Sequence, residues 1–77
     1  MEPQSEMLSA SLEDYLEAIL LLERESRVAR VSEIADQLHV SRPSVTGALK
    51  NLAGRGLVAH ERYGHATLTE EGERIAL

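Results

Sequence analysis

Polar, basic and small side chains recur between residues 41 and 51, at positions that one face of a helix would present to solvent. The set comprises Ser41, Arg42, Pro43, Ser44, Thr46, Gly47, Lys50 and Asn51. Arg, Ser, Thr and Asn side chains can hydrogen-bond to phosphate oxygens and to the edges of bases. The small residues would also let the helix backbone come close to a base edge. The segment therefore predicts contact with DNA, and a merely solvated helix face is the alternative interpretation.

Gly47 lies inside this segment, where a glycine destabilises a helix by about 0.5–1 kcal/mol relative to alanine. Two explanations would offset that cost. The glycine could let the helix backbone come close to a DNA groove, or it could allow close packing against a neighbouring helix. The sequence favours neither explanation over the other.

A second candidate contact lies at a predicted turn between two strand-like runs, residues 57–61 and 66–69. Gly64 can adopt the positive φ that such a turn requires. Arg62 and His65 lie at or beside the tip of the turn, where a basic side chain could contact phosphate or the minor groove. We predict that both bind DNA, and an ordinary exposed hairpin tip is the alternative.

No group of residues suggests catalysis. The three histidines, His39, His60 and His65, have no acid at a spacing typical of a base and its orienting partner, and no glycine-rich phosphate loop is present. His60 and His65 could lie close together across the hairpin, but two ligands alone make a poor metal site. We therefore predict that the chain is not an enzyme.

Hydrophobic periodicity predicts the elements that carry these side chains. A first helix is predicted over residues 11–25, with Ser11 as its cap and Asp14 three residues further on. A short strand is predicted over residues 27–31, and Ser32 is expected to cap a second helix.

The second and third helices form a predicted helix-turn-helix. Ala35 is small where the two helices must cross, and Val40 can fill the turn between them. Val45 and Leu49 seat the third helix on the second, and together with Leu52 they form its predicted buried apolar stripe. The chain must reverse sharply near His39, a residue type that tolerates positive φ better than most.

Two further helix starts are predicted from capping residues. Ser41 is expected to cap the third helix, with Pro43 tolerated in its first turn. Thr69 is expected to cap a final helix that starts at Glu70 and reaches Leu77 without a stop signal. We expect that the chain is truncated there.

The predicted fold class is α+β, mainly α with a small β-hairpin: a winged helix-turn-helix with a three-helix core plus a wing. Seventy-seven residues form one small domain, which buries roughly 60% of its unfolded surface. There is no cysteine, no signal peptide is evident, and the longest apolar run is only residues 18–22. These features predict a cytoplasmic protein with no membrane partner.

The net charge of −5 disfavours DNA binding, but the charges are segregated along the chain. Residues 1–26 contain seven acids and one base, whereas residues 39–65 contain four bases and one acid. DNA responds to the local field of the surface that it meets, because salt screens charges over roughly 10 Å. One basic segment can therefore suffice.

Several segments together resemble the metal-dependent repressors of the diphtheria toxin repressor and manganese transport regulator family. The matching segments are Ser11-Leu12-Glu13-Asp14-Tyr15-Leu16-Glu17-Ala18-Ile19, Val31-Ser32-Glu33-Ile34-Ala35, Val40-Ser41-Arg42-Pro43-Ser44-Val45-Thr46, Gly56-Leu57-Val58 and Leu68-Thr69-Glu70-Glu71-Gly72-Glu73. The resemblance implies a homodimeric repressor that binds double-stranded operator DNA when it is loaded with Mn²⁺ or Fe²⁺.

In the manganese branch of that family, two acids of the first helix ligate the metal, and they match Asp14 and Glu17. The resemblance further implies that the other ligands and the dimerisation helices lie beyond this chain. The expected domains are then a flexible N-terminus over residues 1–10, a winged-helix DNA-binding domain over 11–70, and over 71–77 the start of a helix that leads to a missing dimerisation and metal-binding domain.

Two other functions remain open. In a metal-independent winged-helix regulator, Asp14 and Glu17 would serve only helix capping and solubility. In a winged helix used as a protein-interaction module, which the acidic total charge favours, duplex DNA would not bind at all.

Overall fold

The computed structural model describes residues 10–61 and 64–77. In chain order its elements are α1 (Leu12–Ser26), β1 (Ala29–Arg30), α2 (Val31–Leu38), α3 (Arg42–Gly54), β2 (Val58–His60), β3 (His65–Leu68) and α4 (Glu70–Ala76). The strands form one antiparallel sheet in the order β1-β3-β2. This is the predicted winged helix-turn-helix, with α4 packed against α1 in addition. Residues 1–9 of the predicted flexible N-terminus, and Arg62, lie outside the described residues.

α1 begins as the local sequence predicts. The Ser11 hydroxyl accepts a hydrogen bond from the Asp14 amide at 3.2 Å, and the Asp14 carboxylate accepts one from the Ser11 amide at 3.1 Å. This reciprocal capping box satisfies two backbone donors that the first turn of a helix leaves without partners. On the buried face of α1, burial raises the pKa of the Tyr15 phenol above its usual range.

The strand predicted over residues 27–31 is shorter in the structure, and both of its predicted ends are wrong. Arg27 adopts the left-handed conformation at φ 76° and ends α1, with its amide donating to the Glu23 carbonyl at 2.7 Å. Val31 is the first residue of α2, so only Ala29 and Arg30 remain to pair with β3. The alternation of β-branched residues was too short to distinguish a strand from a cap followed by a helix.

The start of the second helix also differs from the prediction. Arg30, not Ser32, is the N-cap of α2, and the Glu33 carboxylate accepts a hydrogen bond from the Arg30 amide at 3.1 Å. Ser32 therefore lies inside the first turn. Because Glu33 can satisfy the cap from within the helix, a hydroxyl side chain at the N-cap is not required.

The turn between α2 and α3 confirms the predicted helix-turn-helix. His39 adopts φ 56° and ψ 47°, and the Val40 amide donates to the Ala35 carbonyl at 3.1 Å. Ser41 caps α3 by accepting from the Ser44 amide at 3.2 Å, and Pro43 lies in the first turn. These contacts set the direction in which α3 leaves the turn.

The core lies between the three N-terminal helices and one face of the sheet. Its largest fully buried side chains come from α1 (Leu16, Ile19), α2 (Ile34) and α3 (Val45, Leu49, Leu52). Ala29 and Ala66 close the core from the sheet. The predicted apolar stripe of α3 is therefore buried, and its opposite face is left to solvent.

α4 is attached to the sheet through a close backbone approach that the sequence did not indicate. A Cβ atom at Gly72 would overlap the carbonyl group of Leu57. Thr69 caps α4, as predicted, and its hydroxyl also donates to the Gly56 carbonyl at 2.7 Å. In the part of the chain that the structure describes, no helix is both long and apolar enough to cross a membrane.

Candidate nucleic-acid interface and metal-ligand positions

The outer face of α3 presents most of the predicted DNA contacts to solvent. Ser41, Arg42, Pro43, Ser44, Gly47 and Lys50 are exposed, and Thr46 is half-buried. On the opposite side of the helix, Val45, Leu49 and Leu52 are fully buried. Between the last acid of α2, Asp36, and Glu61 there is no acidic residue, so the exposed face of α3 carries only positive charge.

The two serines at the start of α3 are bonded to each other. The Ser41 hydroxyl accepts from the Ser44 amide and donates to the Ser44 hydroxyl at 2.9 Å. Ser41 is thus occupied in capping, whereas the hydrogen of the Ser44 hydroxyl remains available to an external acceptor. Of the two, Ser44 is the better candidate to contact a base or a phosphate.

No helix of the described residues packs closely against Gly47. A Cβ atom added at this position would meet no atom within 4 Å. Close packing against a neighbouring helix of the described chain is therefore not the reason for the glycine. Its backbone lies open on the same face as Ser44 and Lys50.

Asn51, also expected to point outward from α3, is exposed but bonded within its own helix. Its side-chain oxygen accepts a hydrogen bond from the Arg55 Nε at 2.7 Å. Among the described residues, neither Arg42 nor Lys50 forms an ion pair. These two cations, rather than Asn51, are therefore the side chains of α3 that can engage an anionic partner without first breaking an internal bond.

The hairpin of β2 and β3, which is the predicted wing, places His65 beside the start of α3. Gly64 adopts φ 84°, as the turn prediction requires, and its amide donates to the Glu61 carbonyl at 3.0 Å. His65 then begins β3 and, together with Arg42, lines one open groove. The predicted contact Arg62 falls outside the described residues.

The same groove is lined by Arg30, Val31 and Ser32, which were not among the predicted contacts. Arg30 was assigned to a longer strand, and no local pattern places it next to His65. The apolar Ala29 followed by the charged Arg30 was the one available signal in the sequence, because neighbouring strand residues point to opposite faces.

The candidate metal ligands Asp14 and Glu17 both lie exposed on α1, one turn apart. They line one open depression, together with Ala18, Leu21, Gln37 and Leu38. Two carboxylates form a hard donor set that suits Mn²⁺. No group of three or more His, Cys, Asp or Glu side chains in the described residues could hold a metal ion, so these two acids are at most part of a site.

Asp14 already has a role within the chain, because one of its carboxylate oxygens accepts the Ser11 amide. A carboxylate offers about four acceptor positions. The capping bond therefore leaves oxygen lone pairs that a cation could use, and capping and metal ligation are compatible at this residue.

Comparison with known proteins identifies relatives of the whole domain. The family model described as iron dependent repressor, N-terminal DNA binding domain, matches residues 7–66. The HTH-type transcriptional regulator MntR of Shouchella clausii is 42% identical over 69 residues, which are 90% of this chain and 48% of that protein. The chain spans about half the length of the curated relatives that it matches.

Solved structures agree with this comparison. T. acidophilum IdeR has a TM-score of 0.83 and 31% sequence identity, over 88% of this chain and 32% of that one. Lactococcus lactis ZitR, solved in complex with DNA, has a TM-score of 0.64 and 30% identity, over 82% of this chain and 47% of that one.

Proposed function

The chain belongs to the iron-dependent repressor family, and we propose that it binds operator DNA as the reading domain of a homodimeric transcriptional repressor controlled by Mn²⁺ or Fe²⁺. The observation that carries the proposal is the division of α3 into two faces. Val45, Leu49 and Leu52 hold the helix on the core, and the exposed face carries two cations and no acid. A helix in this orientation can enter the major groove.

Different side chains of α3 would contact different parts of the DNA. Arg42 is exposed in the first turn, where an arginine can bond to both acceptors of a guanine. Lys50 lies two turns further along and would contact phosphate as a point charge. Ser44 would donate its hydroxyl hydrogen to a base or a phosphate, and the bare backbone at Gly47 would allow the helix to lie deep in the groove.

Control by metal would act through α1. Asp14 and Glu17 would supply two oxygen ligands, and a bound cation would offset the repulsion between their carboxylates. We propose that the other ligands and the dimerisation helices belong to a part of the protein outside this chain. Within the chain, Glu23 of α1 accepts a hydrogen bond from the Leu68 amide of β3 at 3.2 Å, so fixing α1 would also fix the hairpin that β3 forms with β2.

In a homodimer, two copies of α3 would need a separation of roughly 34–36 Å, or a multiple of it, to read successive major grooves. Holding both α1 helices would hold both reading helices at that spacing. We propose that the protein regulates transcription in the cytoplasm, where its operator DNA lies. We also propose that the chain is not an enzyme.

A binding titration tests the proposed function. We expect the chain to bind a duplex enriched from a randomised library more tightly than a scrambled duplex, with an affinity that falls steeply with salt because phosphate contacts release counterions. Arg42→Ala should weaken binding to the enriched duplex by about 1–3 kcal/mol. Fluorescence anisotropy with labelled duplexes measures both effects.

Arg74→Ala is the matched control, because it removes the same charge from α4, where Arg74 forms its ion pair with Glu71 at 3.1 Å. Equal affinities of the Arg42→Ala and Arg74→Ala variants would remove Arg42 from the interface. A wild-type chain that binds neither duplex at low salt would end the DNA-binding proposal and favour a protein-interaction module.

A further inference from the structure

The strand register places one pair of DNA-facing candidates side by side. In the β1–β3 ladder Ala29 lies opposite Ala66, and Arg30 lies opposite His65. Both alanines are fully buried in the core. Because successive strand residues point to opposite faces, and directly opposed residues share a face, Arg30 and His65 project together from the outer face of the sheet.

Arg42, at the start of α3, completes this cluster from a second direction. Arg30, Val31, Ser32, Arg42, Gly64 and His65 line one open groove with a volume of about 350 Å³. A water molecule occupies about 30 Å³ in the liquid, so a phosphodiester group with its remaining hydration fits in the groove. No acidic residue is among those that line it.

The ion pair of Arg30 with Glu33 does not prevent its use. The closest nitrogen–oxygen distance is 3.6 Å, and the two side chains are 48% and 36% exposed. Exposed pairs of this kind contribute little to stability. An arginine has five N–H donors, so Glu33 can hold the guanidinium beside the groove while most of its donors remain available to a second anion.

We propose that Arg30 and His65 form a binding site for one phosphate of the DNA backbone, in the groove that Arg42 lines from the side of α3. This site rests on the proposed function and deepens it. When α3 lies in the major groove, the DNA backbone at the edge of that groove would pass between the first turn of α3 and the hairpin of β2 and β3. Phosphate contacts position a protein on the duplex without reading its sequence. The site therefore contributes register and affinity for any duplex, whereas the exposed face of α3 provides the discrimination.

The test compares three variants of the chain on an enriched and on a scrambled duplex. Arg30→Gln removes one phosphate contact, so it should lower the salt slope by about 0.9, with an affinity loss of about eightfold at 0.1 M salt that shrinks to about twofold at 0.4 M. Arg30→Lys keeps the charge and should keep the wild-type slope. Glu33→Gln keeps a capping acceptor but removes the competing charge, so it should tighten binding by about 1.5- to 5-fold.

Arg74→Gln is the matched control, because Arg74 is also an exposed arginine paired with a glutamate three residues away in sequence. Thermal unfolding followed by circular dichroism checks that each variant is folded. An Arg30→Gln variant with the affinity and salt slope of Arg74→Gln would overturn the site, even while Arg42→Ala still weakens binding and the proposed function stands. A loss confined to the enriched duplex would also overturn it, because Arg30 would then be reading sequence.

Discussion

The exposed face of α3 and the junction between α4 and β2 each contain a glycine inside a helix, but the two glycines have opposite surroundings. A Cβ atom at Gly47 would have no neighbour within 4 Å, whereas Gly72 lies directly against the backbone of Leu57. Packing within the described chain requires the second glycine and does not require the first. The described residues therefore give no internal reason for the glycine at position 47.

The same contrast extends to the polar side chains of the two regions. On the side formed by α1 and α4, Asp14 completes a cap, Glu23 accepts from Leu68, and Thr69 bonds to Gly56. On the exposed face of α3, Arg42 and Lys50 form no ion pair with any described residue. The first region uses its polar groups to hold the fold together, whereas the second leaves its two cations without an ion pair among the described residues.

The largest expected effect is on the packed junction. Gly72→Ala should lower the free energy of unfolding by roughly 3 kcal/mol or more, because the new methyl group would overlap the Leu57 carbonyl. For a domain of this size that corresponds to a Tm loss of about 12 °C or more. Thermal unfolding measures it, with Gly54→Ala as the control, since a Cβ atom at Gly54 meets nothing within 4 Å. Equal melting temperatures for the two variants would contradict the close approach.

Substitutions at Asp14 should have a smaller effect on stability, and they separate its role in capping α1 from its proposed role as a metal ligand. Asp14→Ala should lower the free energy of unfolding by about 1 kcal/mol, because the Ser11 amide loses its acceptor. Asp14→Asn retains an acceptor oxygen and should keep nearly the wild-type Tm. In a longer metal-responsive protein of the proposed kind, both variants should lose the increase in operator affinity that Mn²⁺ would produce.

The measurements for Asp14 are thermal unfolding and operator binding with and without Mn²⁺. An Asp14→Asn protein with an intact Mn²⁺ response would leave capping as the only role of this side chain. That result would favour the metal-independent regulator. It would also mean that the polar groups of α1 serve only to hold the fold together.

The smallest effect on stability has the opposite sign and lies on the exposed face of α3. Gly47→Ala should raise the free energy of unfolding by about 0.5–1 kcal/mol, because alanine favours the helix and the site is open. The same substitution should weaken duplex binding, because the methyl group would separate the helix backbone from the base edges. Thermal unfolding and duplex titration of one sample test both halves. A variant that is more stable and binds as tightly as wild type would show that no partner approaches Gly47.

Local chemistry explains which elements could be predicted. The Ser11–Asp14 box, the caps at Ser41 and Thr69, and the left-handed His39 each depend on residues within about four positions of one another. The prediction erred between residues 27 and 32, where a left-handed Arg27 and an early helix start shortened the expected strand to Ala29–Arg30, and a Glu33 capping bond replaced the expected Ser32 cap. Short runs there satisfy more than one local pattern, so only the pairing with β3 could decide between them.

By itself, the sequence determined the order of the helices, the caps at Ser11, Ser41 and Thr69, the buried stripe of α3 and the segregation of charge, because these depend on neighbours along the chain. The tertiary structure alone decided that Arg30 lies beside His65 and Arg42, and that Gly72 meets Leu57. Those contacts join residues from 12 to 35 positions apart. Sheet register and helix packing bring such residues together, and neither leaves a periodic signal in the chain.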